Sequence, residues 1–498
     1  MTTQLGAQDA QFLYLQTADV LTHVMSINVF DPATAPHGRV RYADIVRQVV
    51  ERCRRSAVYH RRLYRLPGDF DFPYWVEDPD FRPEEHVTRM RLPRPGNWAQ
   101  FCRQAARRFA EPMDLHRPLW DIQVVEGLDA VPGVAPGSYA LLQRFHHAAI
   151  DGASGAFALA VLCDRDAAGT PVVAEAAAPA SDEAAPSATT VVTRAIASSL
   201  LSPVRIADAV LRLSPSLLGA AQRRLRDELA RRSASVPVTR FNRRVSAQRL
   251  FASTSLDLEA LQAIRRTVEG ATINDVILAV CGGGLRAYLE HHGELPPHSL
   301  VALAPVNARQ RSGRDARSGN DISAMSIPLA TGLKDPLQRL RAIRQCTDEA
   351  KQARAGIGAR LLADVGRHIP GAPLAGFARL LGNERFARSQ ANLVITNVPS
   401  TREPWFMNGA RLTRQFGMGP VTHGLGLFIS ANGYHQTIEL CMTADRGLLP
   451  DLEFLRACME RAYADLVGAA RGPRGRPRAG GARRSRAGRV RRAARAAR

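Results

Sequence analysis

The stretch "SYALLQRFHHAAIDGASGAFALAVLC", Ser138 to Cys163, decides the fold. Its first part, up to the histidine pair His146 and His147, is mostly apolar, of strand length, and reads as a buried strand. Asp151 and Gly152 follow the pair. The remainder, "GASGAFALAVLC", predicts a helix with Ser154 as its candidate cap. A strand feeding a helix through a polar turn sets a mixed α/β class.

If Phe145 to His147 end a strand, the two histidines point to opposite faces. One can then face a cleft while the other packs inward. A shared metal site is awkward in that geometry. Zinc wants three protein ligands, and no third partner is spaced nearby. A base has a physical case, because a neutral imidazole accepts a proton near neutral pH. Asp151 would fix the loop by pairing with a basic residue or by capping amides. Gly152 allows backbone angles that a side chain would forbid. A satisfied, packed histidine pair competes with the base, and spacing alone leaves both readings open.

The α/β patterning continues on both sides. "YADIVRQVVERC" puts Tyr42, Ile45, Val46, Val49, Val50 and Cys53 on one helical face. "NWAQFCRQAARRF" repeats this with Trp98, Phe101, Cys102, Ala105 and Phe109, and Asn97 is placed as an N-cap. From about Asp166 an Ala/Pro/Ser/Thr-rich segment reads as an interdomain linker. Apolar helical segments follow around "VRIADAVLRL" and "ELARR". "DLEALQAIRRTVEG" predicts a helix with Gly270 at its C′ position. "LFISANGYHQTIELCMT" predicts a hairpin turning at Asn432-Gly433, with Ile438, Leu440 and Met442 on the core side of a half-buried strand. "DLEFLRACMERAYADLV" predicts an amphipathic helix. The expected organisation is an N-terminal domain over 1–165, a linker over 166–200, a C-terminal domain over 201–468 and a tail over 469–498.

With 498 residues and 45% apolar content, the chain exceeds what one core usually serves. No apolar run approaches bilayer length, and "MTTQLGAQDAQFLYLQ" does not read as a secretory signal. The seven cysteines are scattered and form no C-x-x-C, which fits a reducing cytosol. The formal net charge is +21, and twelve arginines with no acid lie between Arg471 and Arg498. Such a tail is expected to be solvated, with anionic lipid as its partner class. It lacks aromatic residues to stack on bases, so no specific nucleic acid is expected.

"HHAAIDG" matches the HHxxxDG motif of CoA-dependent acyltransferases, and its surroundings resemble the bacterial wax ester synthase/diacylglycerol acyltransferase family. The resemblance spans "QDAQFLYLQTADVLTHV", "YWVEDPDF", "LPRPG", "RPLWDIQVVEGL", "ATINDVILAVCGGGLRAYL", "GNDISAMSIPL", "ITNVPS" and "GPVTHGLGL". The histidine motif alone is shared with other acyltransferases and peptide condensation domains. The ordered set of blocks is far more specific. Two departures stand out: Ser400 and Arg243 occupy positions where the family tends to carry glycine.

The resemblance implies two chloramphenicol-acetyltransferase-like domains joined by a linker, with the active site at their interface. It implies acyl transfer from acyl-CoA, as co-substrate, to diacylglycerol or a long-chain alcohol, with no metal and no other cofactor. His147 is then assigned as the general base, with His146 and Asp151 holding it in place. Asn274, in the matching ND block, is assigned to the oxyanion or to orienting a loop. Gly152, Asp275 and Trp120 are placed on the substrate side. A helix cap for Asp275 and plain packing for Trp120 stay open beside that. Gly282 to Gly284 suit close helix packing or an acyl passage; a phosphate loop is excluded because its lysine and spacing are missing. The implied location is cytoplasmic, peripheral to the inner membrane face or lipid inclusions, and the sequence sets no oligomeric state. Two other classes compete: a catalytically silent lipid-binding protein and an amide-forming condensation enzyme.

Overall fold

The computed structural model describes residues 3–65, 72–150, 152–173, 236–307, 322–354, 384–398 and 403–471. Most of the expected linker, the two apolar segments after it, Ser400 and nearly all of the arginine tail lie outside the described residues.

The strands in chain order are β1 (Thr3–Gln4), β2 (His23–Asp31), β3 (Arg61–Tyr64), β4 (Tyr74–Glu77), β5 (Val87–Arg91), β6 (Trp120–Glu126), β7 (Tyr139–His146) and β8 (Arg249–Asp257). There follow β9 (Val301–Asn307), β10 (Ile322–Pro328), β11 (Leu393–Val398), β12 (Phe406–Met407), β13 (Ala410–Met418), β14 (Leu427–Tyr434) and β15 (Thr437–Asp445). The helices are α1 (Ala7–Leu15), α2 (Tyr42–Cys53), α3 (Ala57–His60), α4 (Trp98–Phe109), α5 (Gly152–Leu162), α6 (Leu258–Arg266), α7 (Ile273–His291), α8 (Pro336–Arg354), α9 (Glu384–Gln390) and α10 (Leu452–Ala470).

Two six-stranded mixed sheets organise the molecule, in the orders β12-β13-β2-β7-β6-β5 and β10-β9-β11-β14-β15-β8. A small sheet, β1-β4-β3, stands beside them. The fold is mixed α/β with two sheet-centred halves. The sheets do not respect a cut at the linker. Strand β13 leaves the C-terminal half and pairs antiparallel with β2, Arg411 opposite Asp31 and Met418 opposite Met25. The expected 201–468 domain therefore donates two strands to the N-terminal sheet. Edge pairing of this kind has no short-range sequence signal.

Local reasons for the elements are visible. Asn97 and Gln100 close a capping box at the start of α4. The buried face of that helix carries Phe101, Cys102, Ala105 and Phe109. It packs into a core shared by both halves, with Met25 and Ile27 of β2, Phe251 of β8, Phe416 of β13 and Cys441 of β15. Strand β7 is buried along its whole length, as a central strand between β2 and β6 must be. Helix α7 packs closely along its three consecutive glycines. A Cβ on Gly282 would collide with the Leu329 carbonyl, and one on Gly284 with Met459 of α10.

Three expectations shift. The hairpin forms, but it turns at His435-Gln436, further along the chain than Asn432-Gly433, which pair within the ladder. His435 takes the left-handed conformation at φ 53°, and Asn432 is instead buried against Ser430. Strand β15 is buried on both faces rather than one. Ile438, Leu440 and Met442 face the C-terminal core, while Cys441 faces the core shared with α4. Helix α6 stops at Arg266 with Thr267 as its cap. Gly270 provides a positive-φ turn four residues later instead of closing the helix.

Candidate active site

The histidine pair sits at the end of β7, held from three sides. Strand β2 pairs with β7 so that His23 lies opposite His146. Two residues before the pair, Arg144 is buried at 1% exposure. Its guanidinium makes a two-pronged pair with Asp121 at 3.0 and 2.6 Å. It also donates to the carbonyls of Arg108 and Glu111, both at 2.7 Å. Arg108 reaches the same carboxylate at 2.9 Å. This fork and its carbonyls fix the end of the strand.

His146 points inward and is fully buried. Its Nδ1 accepts the Ala148 amide at 3.1 Å. That leaves the proton on Nε2, which meets Gln16 Oε1 at 2.9 Å and Thr22 Oγ1 at 3.1 Å. Thr22 Oγ1 in turn lies 2.8 Å from the Phe12 carbonyl. Both ring nitrogens of His146 are committed, and burial holds its pKa down to about 3. It is a neutral, structural imidazole.

His147 lies in the turn beyond the strand and is half-buried. Its amide donates to the Thr22 carbonyl at 2.9 Å. Its ring stacks on Phe12 of α1, centroids 3.9 Å apart and planes 13° apart. The two rings have opposed environments, but β7 ends at His146, so it is the turn, not the alternation of a strand through His147, that sets His147 apart.

The sequence reading missed Phe12, Gln16 and Thr22 as parts of this site. They lie in the "QDAQFLYLQTADVLTHV" block, but nothing in its spacing ties it to a motif 124 residues away. The same segment meets the C-terminal half. Val20 packs with Val245 and Val421, and Arg249 donates to the Asp19 carbonyl at 2.5 Å. The histidine pair is therefore braced where the halves touch.

The other expected residues are placed as follows. Asp151 lies outside the described residues. Gly152 opens α5, so Ser154 falls inside the helix and not at its cap. Asn274 stands half-buried on the first turn of α7. Asp275, placed on the substrate side, is fully buried and serves the helix start. One carboxylate oxygen accepts from the amide and hydroxyl of Thr272 at 2.8 and 2.7 Å, and the other from Thr347 at 2.8 Å. A carboxylate so engaged has no free oxygen for a ligand. Trp120 is also a core residue at 1% exposure. Its indole donates to the Tyr59 carbonyl at 2.6 Å and its ring stacks on His86. Arg243 is exposed, and its carbonyl accepts the Gly424 amide at 3.0 Å. All seven cysteines are free thiols, and burial pushes Cys163 and Cys281 far up. Among the described residues, no group of three or more His, Cys, Asp or Glu could hold a metal. No described helix is long and apolar enough to cross a membrane.

His23 shares the histidine environment. Its Nε2 donates to the Phe109 carbonyl at 2.5 Å. Burial, with Arg144 nearby, lowers its pKa to about 4. Both rings stay neutral in the folded protein, while the unfolded chain takes up protons below about pH 6.5. The unfolded state then binds more protons, so stability falls as pH drops from 6.5 towards 4. Each ring contributes about 1.4 kcal/mol per pH unit in that window. Urea unfolding should show a lower midpoint at pH 5.5 than at 7.5. His23→Gln keeps a donor for Phe109 and should remove about one proton from the slope. A slope unchanged by that substitution contradicts the assignment.

Residues 5–277 match the model of the wax ester synthase/diacylglycerol acyltransferase catalytic domain. The chain belongs to this family. The family's C-terminal domain matches residues 318–467. A putative diacylglycerol O-acyltransferase of Mycobacterium tuberculosis is 31% identical over 473 residues, covering 94% of this chain and 98% of that one. A probable diacylglycerol O-acyltransferase of the same species is 29% identical, covering 92% and 97%. Among solved structures, the wax ester synthase/diacylglycerol acyltransferase of Marinobacter aquaeolei VT8 is similar, with TM-score 0.65 and 24% identity over 94% of this chain and 100% of that one. The first condensation domain of the calcium-dependent antibiotic synthetase shares the fold, with TM-score 0.57 and 16% identity, covering 95% and 97%. The family fold is thus the two-domain, chloramphenicol-acetyltransferase-like one, and this member keeps the HHxxxDG sequence at its strand end.

Proposed function

We propose that the protein is an O-acyltransferase that moves a long-chain acyl group from acyl-CoA to diacylglycerol or a long-chain alcohol, with His147 as its general base. The observation that carries the choice of residue is the commitment of both nitrogens of His146. That leaves the half-buried ring of His147 for proton transfer. In the reaction, the His147 imidazole takes the acceptor's hydroxyl proton as its oxygen attacks the thioester carbonyl. The tetrahedral oxyanion collapses and expels the CoA thiolate, which takes the proton back from the imidazolium. No acyl-enzyme is required, because a thioester held beside its acceptor gains from proximity alone. Asn274 is the candidate donor to the oxyanion. The same reading sets the protein in the cytoplasm, held to the inner membrane face or lipid inclusions through its arginine tail.

The test is release of free CoA from palmitoyl-CoA, followed with and without acceptor. Release should require a diacylglycerol or a fatty alcohol and should match ester formed one for one. CoA release without acceptor would make the protein a thioesterase. Binding to liposomes with no ester from any acceptor would favour a silent lipid-binding protein.

A further inference from the structure

The two histidines of the motif are held by different kinds of contact, and one segment supplies both. His146 is gripped through its ring nitrogens, by Gln16, Thr22 and the Ala148 amide. His147 is gripped through its face, by the Phe12 ring at 3.9 Å between centroids and 13° between planes. An imidazole exchanges its proton along a direction in the plane of its own ring. A partner on the nitrogen competes with that exchange. A ring stacked on the face fixes the plane without using the nitrogens.

Phe12 is itself held in place by its backbone and its neighbours. Its carbonyl accepts the Thr22 hydroxyl at 2.8 Å, and the Thr22 carbonyl accepts the His147 amide at 2.9 Å. Thr22 thus ties the main chain of the stacking residue to that of the histidine. Beside Phe12 on α1, Leu13 and Tyr14 are buried in a cluster with Leu119 and Ala148, the residue after His147. These contacts set α1 against the histidine turn without calling on the Phe12 side chain. Phe12 is only half-buried, and its one aromatic contact among the described residues is the His147 ring.

We propose that Phe12 is a positioning residue for acyl transfer, a role that rests on the reading of His147 as the base. It holds the His147 imidazole in the plane from which a nitrogen reaches the acceptor hydroxyl. It is assigned no contact with acyl-CoA or acceptor. Without the stack the ring turns more freely about its side-chain bonds, and a smaller share of bound substrate meets a correctly aimed nitrogen. The loss then falls on kcat and spares KM.

The test is a double-mutant cycle on the full chain, with palmitoyl-CoA as donor and a diacylglycerol or hexadecanol as acceptor. Phe12→Leu keeps an apolar side chain and removes the flat ring. Its kcat should fall by about 10–100-fold, the scale of a small misplacement of a reacting group, with little change in either KM. Phe12→Met, a flexible chain without a flat ring, gives the same test should the leucine variant not fold. Phe12→Tyr returns the flat ring and should recover most of the rate. In a His147→Ala background, Phe12→Leu should cost nothing further, because no ring is left to aim. A merely structural Phe12 would lower the residual rate there as well. The role is overturned if Phe12→Leu turns over like the parent, costs the same in both backgrounds, changes KM alone, or is matched in slowness by Phe12→Tyr. Full turnover by His147→Ala would bring down the base reading, and the role of Phe12 with it. A slow His147→Ala beside a fast Phe12→Leu would leave the base standing and remove only the role of Phe12.

Discussion

His147→Ala should lower acyl transfer by about 10²–10⁴-fold, the usual contribution of a positioned base. The loss should fall on kcat, since the ring is assigned no part in holding either substrate before reaction. The cost to the fold should be small, about 0.5–1.5 kcal/mol for the stacking contact with Phe12. His146→Ala should behave differently. It strands the Ala148 amide, Gln16 and Thr22, so stability and activity fall together. Parallel kinetics and urea unfolding on the two variants separate a base from a brace. Full turnover by His147→Ala would refute the assignment outright.

Asp121→Ala should be the most destabilising single change near the site, by about 3–5 kcal/mol. Its carboxylate answers both Arg144 and Arg108. The Arg144 side chain is 2% exposed, so removing the acid leaves a guanidinium in a poorly solvating interior beside a second one. Asp121→Asn keeps the shape and one acceptor but not the charge, and should lose less. Unfolding midpoints in urea order the three proteins. Equal midpoints for parent and Asp121→Ala would show that the carbonyls of Arg108 and Glu111 suffice to hold Arg144.

Local signals in the sequence were reliable where the cause was itself local. Asn97 caps its helix because its oxygen meets an amide three residues on. The stretch before His146 is a strand buried along its whole length, its Gln143 and Arg144 satisfied by Tyr59 and Asp121. The split between His146 and His147 was expected from alternation, yet the strand ends at His146 and the turn is what sets His147 apart. What the sequence concealed was long-range. No pattern in residues 8–24 announces that Phe12 will lie on His147, or that Gln16 will fix a proton on His146. Asp275 and Trp120 were drawn toward the substrate by their place in matching blocks, yet their bonds go to Thr272, Thr347 and Tyr59. A motif match reports that a position is constrained, and here the constraint is a helix start in one case and a packed core in the other. The hairpin was displaced for a similar reason: Asn432 is needed against Ser430 and beside Gly417 of β13, so the turn moved past it.

The strand exchange between the halves bears on how the chain is born. The N-terminal sheet pairs β2, near the start, with β13, which ends at Met418. A ribosome must deliver most of the polypeptide before that sheet can close. Until then β2 presents an unpaired edge, and the core beneath α4 lacks Phe416, Phe251 and Cys441. The nascent N-terminal half is thus an open, adhesive sheet awaiting its last strand. The two halves complete each other's packing, and the support that Arg249 and Val421 give to the segment bearing Gln16 and Thr22 arrives late in synthesis.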